Sequence, residues 1–170
     1  DKSKVGITKI DKMGRDCVDS NLIFFDGMEI PFEDRIGEEG MGFRYLLHGI
    51  NPERILIAAG LIGLGRAALF KATDYAKERT VFGRPIGMNQ GIQHPLAESW
   101  AELEAANLMA FRGAQLYDRG EECGAIANAA KYLAGEATFK ACNTAIMTLG
   151  GMGYAKEYHV ERYMREALIH

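Results

Sequence analysis

From Gly42 to the end of the chain, apolar residues recur at spacings of three, four and seven with little interruption. This sustained helical period limits the possible folds more than any other feature. Residues 54–78 go further, because Ile55, Ile57, Leu61, Ile62, Leu64, Ala68, Leu69, Ala72 and Tyr75 leave almost no polar face. Such a helix requires neighbours on most sides. Pro52 either starts this helix or kinks a longer element that includes residues 43–50, and the kink is the favoured reading. A second helix is expected over residues 92–119, with Leu96, Trp100, Leu103, Ala110, Ala114 and Tyr117 in phase, and a third over residues 125–149. The third carries Ala130, Ala134, Ala137, Ala141 and Ala145 on one side, small enough for close helix approach. A fourth begins near Tyr158. Long helices joined by short glycine-containing turns describe an antiparallel four-helix bundle.

Residues 1–40 read differently. Short β-prone stretches at 5–10, 21–25 and 28–31, the last after the Asp26-Gly27 turn, predict strands. Two or three strands alone are marginal in water, so they read as the end of a sheet domain. The fold expected is therefore mainly α, with residues 1–40 closing a β-domain and residues 41–170 forming a bundle truncated in its last helix. Asp1 stands where a methionine would start a full chain, and the pattern at His170 has no stop signal, so the sequence is read as part of a longer protein.

Several classes are excluded. A net charge of −3 without a basic stripe argues against nucleic-acid binding. The longest apolar run, residues 55–64, is too short to span a bilayer. Cys17, Cys123 and Cys142 have no C-x-x-C spacing and read as buried thiols. No histidine has a glutamate three residues before it, so the di-metal pattern of helical bundles is missing and no metal is expected. Gly60, Gly63 and Gly65 have the reverse of the dinucleotide spacing and fall within a helix; they are read as packing glycines.

Three segments remain as candidate sites. Residues 78–87 (E-R-T-V-F-G-R-P-I-G) place two cations, a hydroxyl and an exposed aromatic at a helix end, with glycines that allow a ligand close to the backbone. Asn51-Pro52-Glu53-Arg54 offers a carboxylate and a guanidinium ahead of an apolar helix, and Gly150-Gly151-Met152-Gly153-Tyr154 is a glycine-rich turn. Each alone is compatible with helix-end chemistry.

Their joint order is more informative. Together with I-P-F-E-D-R-I-G-E-E-G-M-G-F at 30–43, N-Q-G-I-Q at 89–93, L-G-G-M-G-Y at 149–154 and E-Y-H-V-E-R-Y-M-R-E-A at 157–167, the sequence resembles the acyl-CoA dehydrogenase family over essentially its whole length. The resemblance implies the end of a middle β-barrel domain followed by a C-terminal four-helix bundle, with FAD held between domains and across a subunit interface. It places Arg79 and Phe82 on the diphosphate and adenosine portion of a neighbouring subunit's FAD, with Thr80, Asn89 and Gln90 beside them. A guanidinium fork suits a diphosphate better than an ammonium does. Met147, Leu149, Gly150 and Gly151 fall on a backbone segment along the cofactor, with Met147 where many members carry glutamine.

The implied reaction is α,β-desaturation of an acyl-CoA thioester, electrons passing through FAD to an electron-transfer flavoprotein or another acceptor. Glu53, in Glu53-Arg54-Ile55, falls where a minority of members carry the base, and Asn51 and Arg54 fall where CoA is contacted. A homodimer or homotetramer is implied, cytoplasmic in a bacterium or in the mitochondrial matrix in a eukaryote; the isolated chain is expected to be inactive. Alternatives are an acyl-CoA oxidase or flavin hydroxylase on the same fold, or a non-catalytic helical assembly module.

Overall fold

The computed structural model describes residues 4–170, which fall into two compact units, one ending at Leu46 and the other Leu47–His170. In the first, β1 (Val5–Ile10) pairs antiparallel with β2 (Ser20–Phe25), Val5 opposite Phe25 and Ile10 opposite Ser20. Ile7, Ile23, Phe24 and Phe25 are all exposed, so this ribbon is bare on both faces. The strand expected at 28–31 does not form: Pro31 has no N–H to give to a ladder, and a 3₁₀ turn, Phe32–Asp34, follows at once.

Helix α1 (Gly42–Glu78) starts in the first unit and continues through the second as a single element that keeps Pro52 within it. Three helices follow: α2 (Gln90–Asp118), α3 (Gly124–Leu149) and the short α4 (Val160–Ala167). In the second unit, Gly65 faces Leu103 and Gly113 faces Ile55, so α1 and α2 run antiparallel. Ser99 meets Thr144 across α2 and α3, while Thr138 of α3 reaches Leu61 of α1. The first three helices thus alternate up, down, up. Val160 and Ala167 bury α4 against α1 and α3 beside Ala72, Ala145 and Leu149.

Small side chains set the spacing. Ala58, Ala106, Ala130 and Ala134 meet around Leu61 and Ile62 in one core layer, and Leu69, Leu103, Ala137 and Ala141 form another. Such alanines bring helix backbones together and lose little side-chain entropy. Three buried hydroxyls are paired: the Thr138 hydroxyl donates to the Leu61 carbonyl at 2.9 Å, and Ser99 and Thr144 share a hydrogen bond of 3.0 Å. No buried side-chain polar atom among the described residues lacks a partner. At the surface, Lys140 bridges Glu98 and Glu102, and Arg66 pairs with Glu104.

The structure corrects several expectations. Of the three glycines read as packing positions, only Gly65 is one: a Cβ there would lie 2.8 Å from Leu103 Cδ2, whereas Gly60 and Gly63 face open space. Trp100 and Tyr117 lie on the exposed side of α2, and α1 leaves Leu56 and Phe70 uncovered, so its neighbours here do not surround it. In length and composition α1 could cross a bilayer, contrary to the reading from uninterrupted apolar runs, although Ala58, Leu61 and Ile62 of that helix form a core with α2 and α3, and Ala68 another with α3 and α4. Cys17 is exposed; Cys123 and Cys142 are buried.

Two outcomes follow from this packing. Gly63→Ala adds helix propensity in open space and should stabilise the chain by up to about 1 kcal/mol, whereas Gly65→Ala, pressed against fully buried Leu103, should destabilise it by about 1–2 kcal/mol. Thermal unfolding of the two variants should therefore shift in opposite directions. Burial also pushes the Cys142 thiol from 9.0 up to about 12. Between those values the unfolded thiol ionises and the folded one does not, so this contribution to stability is intact below pH 9 and is lost as pH rises toward 12. Alkylation at pH 8 should label Cys17 in the folded chain and reach Cys142 only after unfolding.

Candidate functional site

Both ends of the bundle in the second unit carry residues singled out from the sequence. At one end, Asn51, Glu53 and Arg54 lie on α1 next to the turn that joins α2 to α3; a Cβ on Gly124 would sit 3.6 Å from the Asn51 amide nitrogen. Arg54 Nη1 donates to Asn51 Oδ1 at 3.3 Å, holding the two side chains together across one helical turn. Glu53 points outward, and its carboxylate has no partner among the described residues.

The other end is more elaborate. α1 stops at Glu78, and the chain turns back through a two-residue hairpin, β3 (Thr80–Val81) against β4 (Arg84–Pro85). Its tip is Phe82-Gly83, with φ of +53° and +78°. Positive φ at both positions is the mark of a type I′ turn, which favours Asn-Gly. A phenylalanine at the first position is strained, and its ring contributes nothing to the fold in return, because Phe82 is 101% exposed. The Arg79 guanidinium at the base of the hairpin is exposed and has no acid partner among the described residues. The Thr80 hydroxyl turns back to the Glu78 carbonyl at 3.4 Å.

The glycine-rich turn reaches the same end. α3 finishes at Leu149, Gly150 takes φ +60°, and the chain continues in a 3₁₀ turn, Gly150–Tyr154. Leu149 is buried beside Ala72 of α1, which ties this turn to the last turns of that helix. Tyr158 then packs edge-on against Tyr75 at 5.7 Å. Gly153 lies so close to α3 that any Cβ would collide with the Ile146 carbonyl, whereas Gly150 and Gly151 leave open space above their backbone. Met147 is exposed on the last turn of α3. Of this segment's nominated residues, Leu149 therefore has only its backbone to offer a ligand.

Arg79, Thr80, Phe82, Asn89, Gln90 and the 147–151 segment thus share one end, while Asn51, Glu53 and Arg54 share the other. From Glu53 to Glu78, a rise of about 1.5 Å per residue amounts to roughly 38 Å. The Phe82 hairpin itself was not legible as a hairpin, since the favoured Asn is missing; the only cue was a glycine between the β-prone pair Thr80-Val81 and Arg84-Pro85.

The chemistry of the hairpin end fits an extended dinucleotide. An unpaired guanidinium suits a diphosphate, a bare ring suits a flat base, and an open glycine backbone allows close approach. Among the described residues no group of His, Cys, Asp or Glu could hold a metal ion.

Residues 40–170 match the family model described as "Acyl-CoA dehydrogenase, C-terminal domain". The acyl-CoA dehydrogenase FadE12 of Mycobacterium tuberculosis is 44% identical over 149 residues, which cover 86% of this chain and 38% of that protein. Butyryl-CoA dehydrogenase from Megasphaera elsdenii superposes with a TM-score of 0.92 at 33% identity, over 98% of this chain and 44% of that one. The prolyl acyl carrier protein oxidase AnaB superposes with a TM-score of 0.94 at 28% identity, over 99% and 45%. The chain therefore spans about two fifths of the length of the curated relative it matches.

The strained tip generates a prediction about stability. Phe82→Asn creates the favoured Asn-Gly turn and should stabilise the chain by about 1 kcal/mol. Chemical denaturation checks it, and an unchanged midpoint would show that the left-handed Phe82 costs nothing.

Proposed function

This chain belongs to the acyl-CoA dehydrogenase family, its residues 40–170 matching the C-terminal domain, and from that premise we propose that these residues form the helical part of an FAD-dependent enzyme that desaturates an acyl-CoA thioester. The observation that carries the reading is the Phe82 tip: an aromatic ring wholly exposed on a strained turn, beside an Arg79 with no acid partner among the described residues. Strain that the fold does not use points to a ligand.

In this reading Arg79 holds the diphosphate of FAD, Phe82 covers the adenine, and Thr80, Gln90 and the backbone of Met147–Gly151 border the cofactor. At the other end of α1, Asn51 and Arg54 contact the CoA portion, and Glu53 takes the α-proton of the acyl chain. Bound flavin supplies a hydride acceptor for the β-hydrogen. A carboxylate free of internal partners can turn to a substrate and accept a proton without first breaking an ion pair. The roughly 38 Å between the two ends exceeds the reach of one dinucleotide, which supports a further step: Arg79 and Phe82 serve the cofactor of a neighbouring copy, in a homodimer or homotetramer. Electrons leave to an electron-transfer flavoprotein or another acceptor. The bare faces of the β1–β2 ribbon support placing residues 1–40 at the end of a larger β-domain.

The likeness to AnaB favours an oxidase as the second reading, in which reduced flavin passes its electrons to oxygen. Oxygen consumption with acyl-CoA, in the absence of a protein acceptor, separates the two.

In the full-length protein, Glu53→Gln should leave the flavin spectrum intact and slow anaerobic bleaching by acyl-CoA at least about a hundredfold, the lower range for loss of a general base. Bleaching at the original rate would place the base elsewhere.

A further inference from the structure

A hairpin of two-residue strands has too few ladder bonds to hold its own shape in water. What fixes the Phe82 tip must therefore lie outside the hairpin. Its base is anchored in three ways: the Ile86 amide donates to the Arg79 carbonyl at 2.9 Å, Gln93 Nε2 donates to the Gly87 carbonyl at 2.8 Å, and Gly87 lies so close to α1 that a Cβ would fall 2.9 Å from the Ala76 carbonyl. None of these touches the strand that leaves the tip. The backbone of Arg84, immediately after Gly83, pairs only with Val81 of the same short hairpin; its side chain is tied outside the hairpin by Asn89, with Arg84 Nη2 donating to Asn89 Oδ1 at 2.6 Å. The same carboxamide donates through Nδ2 to the Ile86 carbonyl at 3.0 Å.

Asn89 occupies the N-cap position of α2, where an asparagine ordinarily accepts from the first free amides of the helix and contributes about 1 kcal/mol. Here it makes no such bond. Its side chain faces backwards and spends an acceptor and a donor on the hairpin. An exposed arginine with one short, charge-assisted bond to an asparagine that has given up its cap is better explained by the shape of the tip than by the stability of α2.

Resting on the reading of Phe82 given above, we infer that Arg84 and Asn89 are positioning residues for FAD: the pair fixes the outgoing strand of the hairpin, and thereby the angle at which Phe82 meets the cofactor of the neighbouring copy. Asn89 then acts through the hairpin and not by touching the cofactor. Gln90, next to it in the chain, keeps its exposed side chain for that contact.

The test is a set of FAD dissociation constants, measured by titrating FAD into the full-length apoprotein. Arg84→Ala and Asn89→Ala should each weaken binding by roughly tenfold, as expected for one hydrogen bond to a charged group. The double variant should be no weaker than Asn89→Ala, because that variant already loses the Arg84 bond along with its own bond to the Ile86 carbonyl. In a Phe82→Ala background, Asn89→Ala should have no further effect; a merely structural role for Asn89 would persist there. Unchanged affinity in Arg84→Ala, or a full tenfold loss from Asn89→Ala when Phe82 is already absent, overturns the inference while leaving FAD binding itself intact. A wild-type protein that binds no FAD, or a Phe82→Ala variant that binds it normally, overturns the underlying reading and this inference with it.

Discussion

Close approach of helix backbones over alanine and glycine is the constraint on which the rest of the second unit depends. Gly65 lets α1 lie against Leu103 and the backbone at Thr138, and the alanines of α3 keep that helix near enough for the Thr138 hydroxyl to reach the Leu61 carbonyl. That bond crosses between helices in a dry interior, where the Thr138 hydroxyl left apart would lack this partner. The small residues and the buried hydroxyls are therefore one design: the first set the distance and the second fix the register. Register in turn decides which groups meet at each end of the bundle. Leu149 settles beside Ala72 because Thr138 is held beside Leu61, and the glycine turn after Leu149 is delivered to the hairpin end as a result.

Much of this was legible in the sequence, for a simple reason. Helical period is a local property, and the alanines of α3 and the apolar residues of α1 displayed it without help from any partner. Contacts are not local. Nothing in the sequence distinguishes Gly65, pressed on Leu103, from Gly63, which faces open space two residues away. Trp100 matched the helical spacing of Leu96 and Leu103 but falls on the outer side of α2, since its position is one of several that a period of about 3.6 admits near the edge of a stripe. The extended stretch ending at Pro31 had the composition of a strand but runs into a proline without an N–H and a 3₁₀ turn at Phe32–Asp34.

The candidate site divides in the same way. Arg79, Phe82 and the 149–154 turn could be nominated because glycine and charge at helix ends are visible in one dimension, and the resemblance to a known family supplied their roles. What could not be seen was that Phe82 adopts a left-handed backbone, that Asn89 turns away from its own helix, or that Leu149 hides its side chain. Each of these depends on where the chain goes next. Favourable local choices were displaced at Phe82 and Asn89, and displacement of that kind is concentrated where a protein meets its ligand.

The unbroken length of α1 has a consequence for how such a chain can change over generations. One residue inserted or removed between Glu53 and Glu78 would turn one end against the other by about 100° and shift it by about 1.5 Å, so the two ends behave as cams on one shaft, tolerant of substitution and intolerant of a change in count. The turn between α2 and α3 carries no such phase and can lengthen freely. Variation in the number of residues should therefore collect in the turns, while the stretch from Glu53 to Glu78 keeps its length even where its sequence drifts.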